Sequence, residues 1–222
     1  METFVITGHD TNIGKTFVSR LLVEYLLENN KSVQFVKPVE SGSSLENFIS
    51  DSDYVSYNNH SDKLTHSVLY SFKAPLAPNC AARLENNPLI LESILKKLEA
   101  LPKDKDYRII EIAGGHAGPI DESGNDWNDF LQIIKPQLLI LIIENRLGAQ
   151  NQSRLLEYYT RGLGLQRAMI LNDVKPRDNL ITQSNYHVLN QLNIPILAHI
   201  EYQSKRINFL QSHLCLNSYI KK

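Results

Sequence analysis

The chain is poor in cysteine: Cys80 and Cys215 are the only two in 222 residues, and they lie far apart in sequence. With no Cys-x-x-Cys pair, neither a disulfide framework nor a cysteine-held zinc site is expected, and a reducing cytoplasm is the expected compartment. An excess of one charge is also missing. The 23 Lys and Arg residues face 24 Asp and Glu, for a formal net charge of −1, and no stretch concentrates basic residues. A nucleic-acid or membrane-surface partner would need such a stretch, so neither is expected. Long apolar runs are absent. The longest, residues 138–143, falls far short of the roughly 20 residues that a membrane-spanning helix requires. No basic region precedes an apolar run at the N-terminus, so no signal peptide is expected. The seven histidines are scattered and never show zinc-site spacing.

What the chain does contain begins at once. Residues 8–16 read Gly-His-Asp-Thr-Asn-Ile-Gly-Lys-Thr, after a β-prone run at 3–7 and before a helical pattern that puts Val18, Leu21, Leu22, Tyr25 and Leu26 on one face. Strand, glycine-containing loop, Lys-Thr and helix are the context of a phosphate-binding loop. Glycines let the backbone N–H groups turn inward, and the new helix N-terminus adds positive potential. Lys15 would reach the β- and γ-phosphates of a nucleoside triphosphate, and the Thr16 hydroxyl would ligate Mg2+. Five residues separate Gly8 from Gly14, one more than the common loop has, and His9 stands where its first glycine is expected.

Apolar runs alternate with helical patterns along the rest of the chain. Strands are expected at 3–7, 32–36, 107–113, 138–143, 167–171 and 194–200. Helices are expected at 16–28, 89–100, 150–161, 180–192 and 205–214, with a short one at 51–57. Strands without strict polar alternation, separated by helices, imply an α/β fold: a mostly parallel, doubly wound sheet flanked by helices. Ligands bind such sheets beyond the carboxyl ends of the strands. No repeat, low-complexity segment or linker divides the chain, so residues 1–222 are expected to form one domain. Residues 64–87 read as a long irregular loop of the kind that carries function.

Several strand ends carry candidate chemistry. Lys37-Pro38 holds a lysine in extended geometry at the edge where the phosphate loop sits. Ser52-Asp53 lies beyond a polar loop and is a candidate for function, though Asp51 and Asp53 also read simply as helix N-cap residues. Glu111 ends an apolar strand, where a carboxylate is costly to bury unless paired or bound to metal, and glycines follow it. Residues 146–151, Arg-Leu-Gly-Ala-Gln-Asn, open a helix whose free N–H groups suit an anion. Asn172-Asp173 ends another strand, and an Asn there can read adenine through its amide donor and acceptor.

In this order the segments resemble dethiobiotin synthetase, a family of biotin biosynthesis. That family's loop, Gly-Thr-Asp-Thr-x-Val-Gly-Lys-Thr, carries the same extra residue. Lys37-Pro-Val-x-Ser41-Gly42, Ser52-Asp53, Pro75-Leu-Ala-Pro78, Arg146-Leu-Gly148 with Asn151, and Asn172-Asp173 match its further motifs over essentially the whole length. The resemblance implies a single-domain P-loop NTPase fold and an ATP- and Mg2+-dependent cyclo-ligase. It would convert 7,8-diaminopelargonate and CO2 to dethiobiotin with release of ADP and phosphate, and act as a homodimer with small-molecule partners only. It assigns catalysis to Lys15, Lys37 and Ser41. The nucleotide falls to Asn12, Ile13, Gly14, Lys15, Thr16, Phe17, Asp53, Glu111, Gly114, Asn172, Asp173 and Tyr202. Substrate falls to Thr11, Ser41, Pro78, Gly148, Ala149, Gln150 and Asn151, and metal to Thr16, Asp53 and Glu111. The family's Glu-Gly-Ala-Gly-Gly reads Glu111-Ile-Ala-Gly-Gly here, so residue 112 must take a negative φ, and a glycine is expected to be tolerated there. His9 replaces a small Thr, and Glu201-Tyr202 stands near a usual Pro-Trp-like pair. Two other functions share such a loop: a partition-type ATPase switch, and a nucleotide-binding paralogue without ligase activity. The first usually carries a second lysine early in the loop, which His9 and Asp10 do not supply.

Overall fold

The structure is a computed structural model that describes residues 1–57, 59 and 61–210. Seven strands form one all-parallel sheet: β1 (Glu2–Gly8), β2 (Val33–Ser41), β3 (Leu64–Phe72), β4 (Tyr107–Glu111), β5 (Leu138–Glu144), β6 (Arg167–Asn172) and β7 (Ile196–Ile200). Their order is β3-β2-β4-β1-β5-β6-β7, which leaves β1 between β4 and β5 at the centre. The connections include α1 (Lys15–Glu28), α2 (Asp51–Ser56), α3 (Pro78–Leu84), α4 (Leu91–Glu99), α5 (Trp127–Ile134), α6 (Ala149–Arg161) and α7 (Asn179–Leu189).

Both sheet faces are covered, which is why the central strands are apolar on both sides. In β5, Leu138, Ile140 and Ile142 pack with Val18, Leu21 and Leu22 of α1. Leu139, Leu141 and Ile143 point the other way, into a core with Ile94 of α4, Phe130 of α5 and Leu156 of α6. All strands being parallel, their carboxyl ends line one edge, and that edge carries the loops after β1, β2, β4, β5 and β6.

Several expectations need correction. β2 runs past Val36 to Ser41 despite Pro38. Its pairing with β4 ends at Val36, so the missing N–H of Pro38 breaks no bond on that side. Residues 64–87 are not one irregular loop. They hold β3 and α3. β3 is an edge strand with mostly half-exposed residues, so it lacks the apolar continuity of its neighbours. α5 went unforeseen because its start signal is an acidic capping box, Asp126 with Asp129, rather than a Ser/Thr one. The helix expected at 205–214 is not formed over 205–210. Phe209 instead makes an antiparallel bridge to Ala198 and sets its ring edge-on to Tyr25. The remainder of that expected helix, and Cys215, lie outside the described residues.

Candidate active site

The loop after β1 folds as its glycines require. Gly14 has φ +87, and a Cβ there would lie 2.2 Å from Asn172 Nδ2, so only glycine fits between the loop and β6. Asn12 takes φ +57, and Ile13 is buried as an anchor in the α1-side core. Lys15 then opens α1 and folds back, donating to Asp10 O at 2.6 Å. Burial, followed by the nearby charge of Lys37, lowers its pKa to about 8. The His9 imidazole is lowered to about 4, by burial first and then by Arg146.

The next loop is braced from behind. His116 N donates to Gly8 O at 2.9 Å. The His116 ring is buried between Thr7 Oγ1 at 2.7 Å and Asn128 Oδ1 at 2.8 Å. Asn128 gives its Nδ2 to Tyr159 O, so its oxygen faces the ring. The imidazole therefore donates from Nε2 and accepts from Thr7 at Nδ1. Burial keeps its pKa below the ordinary value, consistent with this neutral form.

Beneath the loop, β2, the end of β4 and the start of α2 bring charge together. Lys37 Nζ lies 2.6 Å from Asp51 Oδ2 and 2.7 Å from Glu111 Oε1. Thr16 Oγ1 donates to Glu111 Oε1 at 2.8 Å and reaches Asp51 Oδ1 at 3.1 Å. Ser19 Oγ donates to Glu111 Oε2 at 2.6 Å. Glu111 is 0% exposed, so its charge depends on these partners. Burial works against the Lys37 charge, but Glu111 and Asp51 outweigh it, and its pKa stands above the ordinary lysine range. Glu40 accepts from Asp51 N at 2.6 Å and so fixes the start of α2. Burial raises its own pKa. The lysines, Thr16, Asp51 and Glu111 border a cleft of about 390 Å³ that also meets Thr11, Ser41 and Gly114.

The expected residues do not all converge. Asp53 is exposed and faces His66 at 4.0 Å, and the carboxylate in the cluster is Asp51. Two residues on a helix are about 200° of rotation, so only one of the pair can face the sheet. Ser50 supplies the cap that either Asp had been expected to supply. Ser41 Oγ donates to Leu76 O at 2.8 Å, which ties the 75–78 loop to β2, and Pro78 is the first residue of α3. Asn172 donates Nδ2 to Ile13 O at 2.9 Å, while its buried Oδ1 has no hydrogen-bond partner among the described residues. Asp173, expected at the nucleotide, accepts from Asn145 at Oδ1 and has His199 Nε2 2.9 Å from Oδ2. Phe17 lies under Arg20, and Tyr202 is 43% exposed in the turn after β7, bonded to Gln203. Gly148 takes φ +92 ahead of α6, Ala149 is buried, Asn151 is exposed, and Gln150 Nε2 bonds Ser184 of α7. Ile112 takes negative φ as expected, but it is fully buried in the core, so its side chain is structural. Ser19 and Glu40 were not foreseen. Ser19 lies one helical turn after Thr16, where an i, i+3 pair of hydroxyls was the available signal.

A family model described as an AAA domain matches residues 2–208. The ATP-dependent dethiobiotin synthetase BioD of Bacillus subtilis (strain 168) is 32% identical over 206 residues, covering 89% of this chain and 86% of that one. The enzyme of the same name from Methanocaldococcus jannaschii is 35% identical over 181 residues, covering 75% and 78%. Among solved structures, a plasmid partition protein from Borrelia burgdorferi aligns with TM-score 0.57 at 15% identity, covering 91% of this chain and 90% of that one. Chloroplast FtsY from Physcomitrella patens aligns with TM-score 0.56 at 12% identity, covering 95% of this chain but 62% of its own. At such identities the structural likeness speaks for the fold alone.

Proposed function

The chain belongs to the dethiobiotin synthetase family, and from that premise we propose that it is an ATP-dependent dethiobiotin synthetase. It acts on 7,8-diaminopelargonate and CO2 as a single domain, in the cytoplasm. The observation that carries this reading is the second buried lysine. A simple nucleotide switch needs Lys15 alone, whereas Lys37 adds a fixed positive charge to the same cleft as the phosphate loop.

The chemistry needs that charge. One substrate amine adds to CO2 and loses a proton, giving a carbamate. A carbamate oxygen attacks the γ-phosphorus of ATP and ADP leaves, giving a carbamic–phosphoric anhydride. The second amine attacks the carbonyl carbon, loses a proton and expels phosphate, closing the ureido ring. Negative charge gathers at each stage, and positioned cations are worth most in a cleft that excludes water. Lys15 serves the phosphates. Lys37 serves the carbamate oxygens and the oxyanion formed at ring closure. Ser41 would turn its hydroxyl from Leu76 O to hydrogen-bond the reacting carbamate. Asn172 offers its free Oδ1 to the amino group of adenine.

Mg2+ would be held by Thr16, Asp51 and Glu111, an all-oxygen donor set that suits a hard cation, and would neutralise charge on the triphosphate. Asp51 takes the place first given to Asp53. The substrate's distal carboxylate would rest on the N–H groups that open α6, at Gly148–Asn151. Exposed apolar side chains there, Leu147, Leu155, Tyr158 and Leu180, support a homodimer interface beside this helix start.

The test measures dethiobiotin formation and ADP release by the purified protein with and without the diamine. The reading requires ADP release coupled to product at one to one. ATP hydrolysis indifferent to the diamine would overturn it. For the dimer, Lys37→Ala mixed with Gly148→Trp should regain activity if each site is shared between subunits. No recovery after verified subunit exchange would exclude the sharing.

A further inference from the structure

Asn172 and Asp173 are adjacent at the end of β6, yet they hold two different loops. Asn172 holds the phosphate loop through Ile13 O. Asp173 Oδ1 accepts from Asn145 Nδ2 at 2.7 Å, and its Oδ2 lies 2.9 Å from His199 Nε2. Asn145 is 0% exposed and stands where β5 gives way to the α6 start. Its second amide hydrogen goes to Thr182 Oγ1 at 2.8 Å, and its Oδ1 accepts from Asn185 Nδ2 at 2.8 Å. Asn185 also reaches Arg146 O at 3.2 Å. The amide cannot be turned round, because a carboxylate only accepts and so needs the Nδ2 side. Every polar atom of the Asn145 side chain is therefore committed, in a buried place where an unmet partner is costly.

We propose that Asn145, braced by Asp173 and α7, is a positioning residue that sets the α6 N-terminus for the substrate carboxylate, independently of nucleotide binding. This rests on the assignment of Gly148–Asn151 to that carboxylate. Two elements meet on the one amide: the end of β6 through Asp173, and α7 through Thr182 and Asn185. Three residues later the chain reaches Gly148, and the stretch between is tied further by Asn185 to Arg146 O and by Arg146 to Glu144. Removing the amide takes away the most buried of these ties and loosens the Arg146–Leu147 turn, while Asn172 still holds the phosphate loop.

The experiment compares Asn145→Ala, Asp173→Ala, Asp173→Asn and Gly148→Trp. ATP affinity is read by calorimetry, diamine KM and kcat by dethiobiotin formation, and amide hydrogen exchange at 146–150 by mass spectrometry. Asn145→Ala should raise the diamine KM about tenfold or more, in keeping with unmet buried partners, and speed exchange at 146–150. ATP affinity should stay within about twofold, since no ATP-side contact is lost. Asp173→Asn keeps an acceptor for Asn145, and His199 can present its other tautomer, so it should recover most of the loss seen in Asp173→Ala. If Asn145→Ala does not fold, Asn185→Ala removes one brace, leaves Asp173 paired, and should give the same split at smaller size. A normal diamine KM in the Asn145 and Asn185 variants, while Gly148→Trp raises it, overturns the brace alone. A normal KM in Gly148→Trp overturns the carboxylate assignment and the brace together. Equal loss of ATP affinity in Asp173→Asn and Asp173→Ala would give Asp173 back to the nucleotide.

Discussion

Replacing Lys37 by methionine tests the charge cluster more sharply than alanine, because it keeps most of the side-chain volume. What is lost is one cation held 2.6 Å from Asp51 and 2.7 Å from Glu111. Glu111 is fully buried and would keep only two neutral donors, Thr16 and Ser19. Removing one partner of a buried ion pair costs about 3–5 kcal/mol, whereas the change in packing should cost under about 1.5. For a domain of this size each kcal/mol moves the melting temperature by about 2–4 °C, so the metal-free Lys37→Met protein should melt roughly 6–20 °C lower. Adding Glu111→Gln removes the stranded charge. The double variant should therefore melt well above Lys37→Met, and turnover in both should stay about 10²–10³-fold down, because Lys37 acts on the reacting groups. Lys37 also occupies the two carboxylates proposed for the metal. Mg2+ should then stabilise Lys37→Met more than the original protein, since the competing ammonium is gone. Scanning calorimetry with and without Mg2+, beside the dethiobiotin assay, measures all of this. If Lys37→Met melts unchanged, the buried-charge argument fails. If the double variant regains turnover, Lys37 is a structural counter-ion only.

Three further outcomes are expected. Asp51→Asn should raise the Mg2+ concentration needed for half activity by about tenfold or more, and Asp53→Asn should leave it unchanged; a Mg2+ titration showing the reverse would reinstate Asp53. Ile112→Gly should destabilise the fold by about 3–6 kcal/mol, from lost core packing and added backbone freedom, contrary to the tolerance expected from motif comparison; urea unfolding with unchanged stability would refute this. With its pKa near 8 in the free protein, Lys15 should take up about half a proton when ATP binds at pH 8 and little at pH 6.5, which calorimetry in buffers of different ionisation enthalpy reads directly. The same depression makes the free fold more stable as pH rises from about 8 toward 10.5, because only the unfolded chain then holds the proton.

The central architecture was legible because its strands are buried on both faces and its helices are amphipathic. Residues 138–143 could not be much else than an inner strand. Legibility failed at the margin of the sheet and in short helices. β3 carries Thr65, His66 and Ser67 on an edge where one side meets solvent, so neither continuity nor clean alternation marks it. The 205–210 segment has helix-like spacing, but Phe209 is drawn onto Tyr25 and Ala198, and that packing outweighs local preference.

The site divides along a similar line. Lys15, Thr16, Lys37 and Glu111 were readable because each sits at a fixed offset from a strand end, and parallel strands deliver such residues to one edge. Asp51 was not separable from Asp53 by sequence, since both stand in the first turn of a short helix whose rotation about its own axis is a tertiary outcome. What sets that rotation is visible only in three dimensions: Glu40, at the end of β2, accepts the Asp51 N–H, and Ser50 caps the same turn. Asp173 shows a different division. Its neighbour Asn172 keeps a buried acceptor with no partner among the described residues, but alternation along an extended strand end sends the next side chain the other way. Sharing a motif therefore placed both residues near the nucleotide, while the backbone geometry divides them between the phosphate loop and the start of α6.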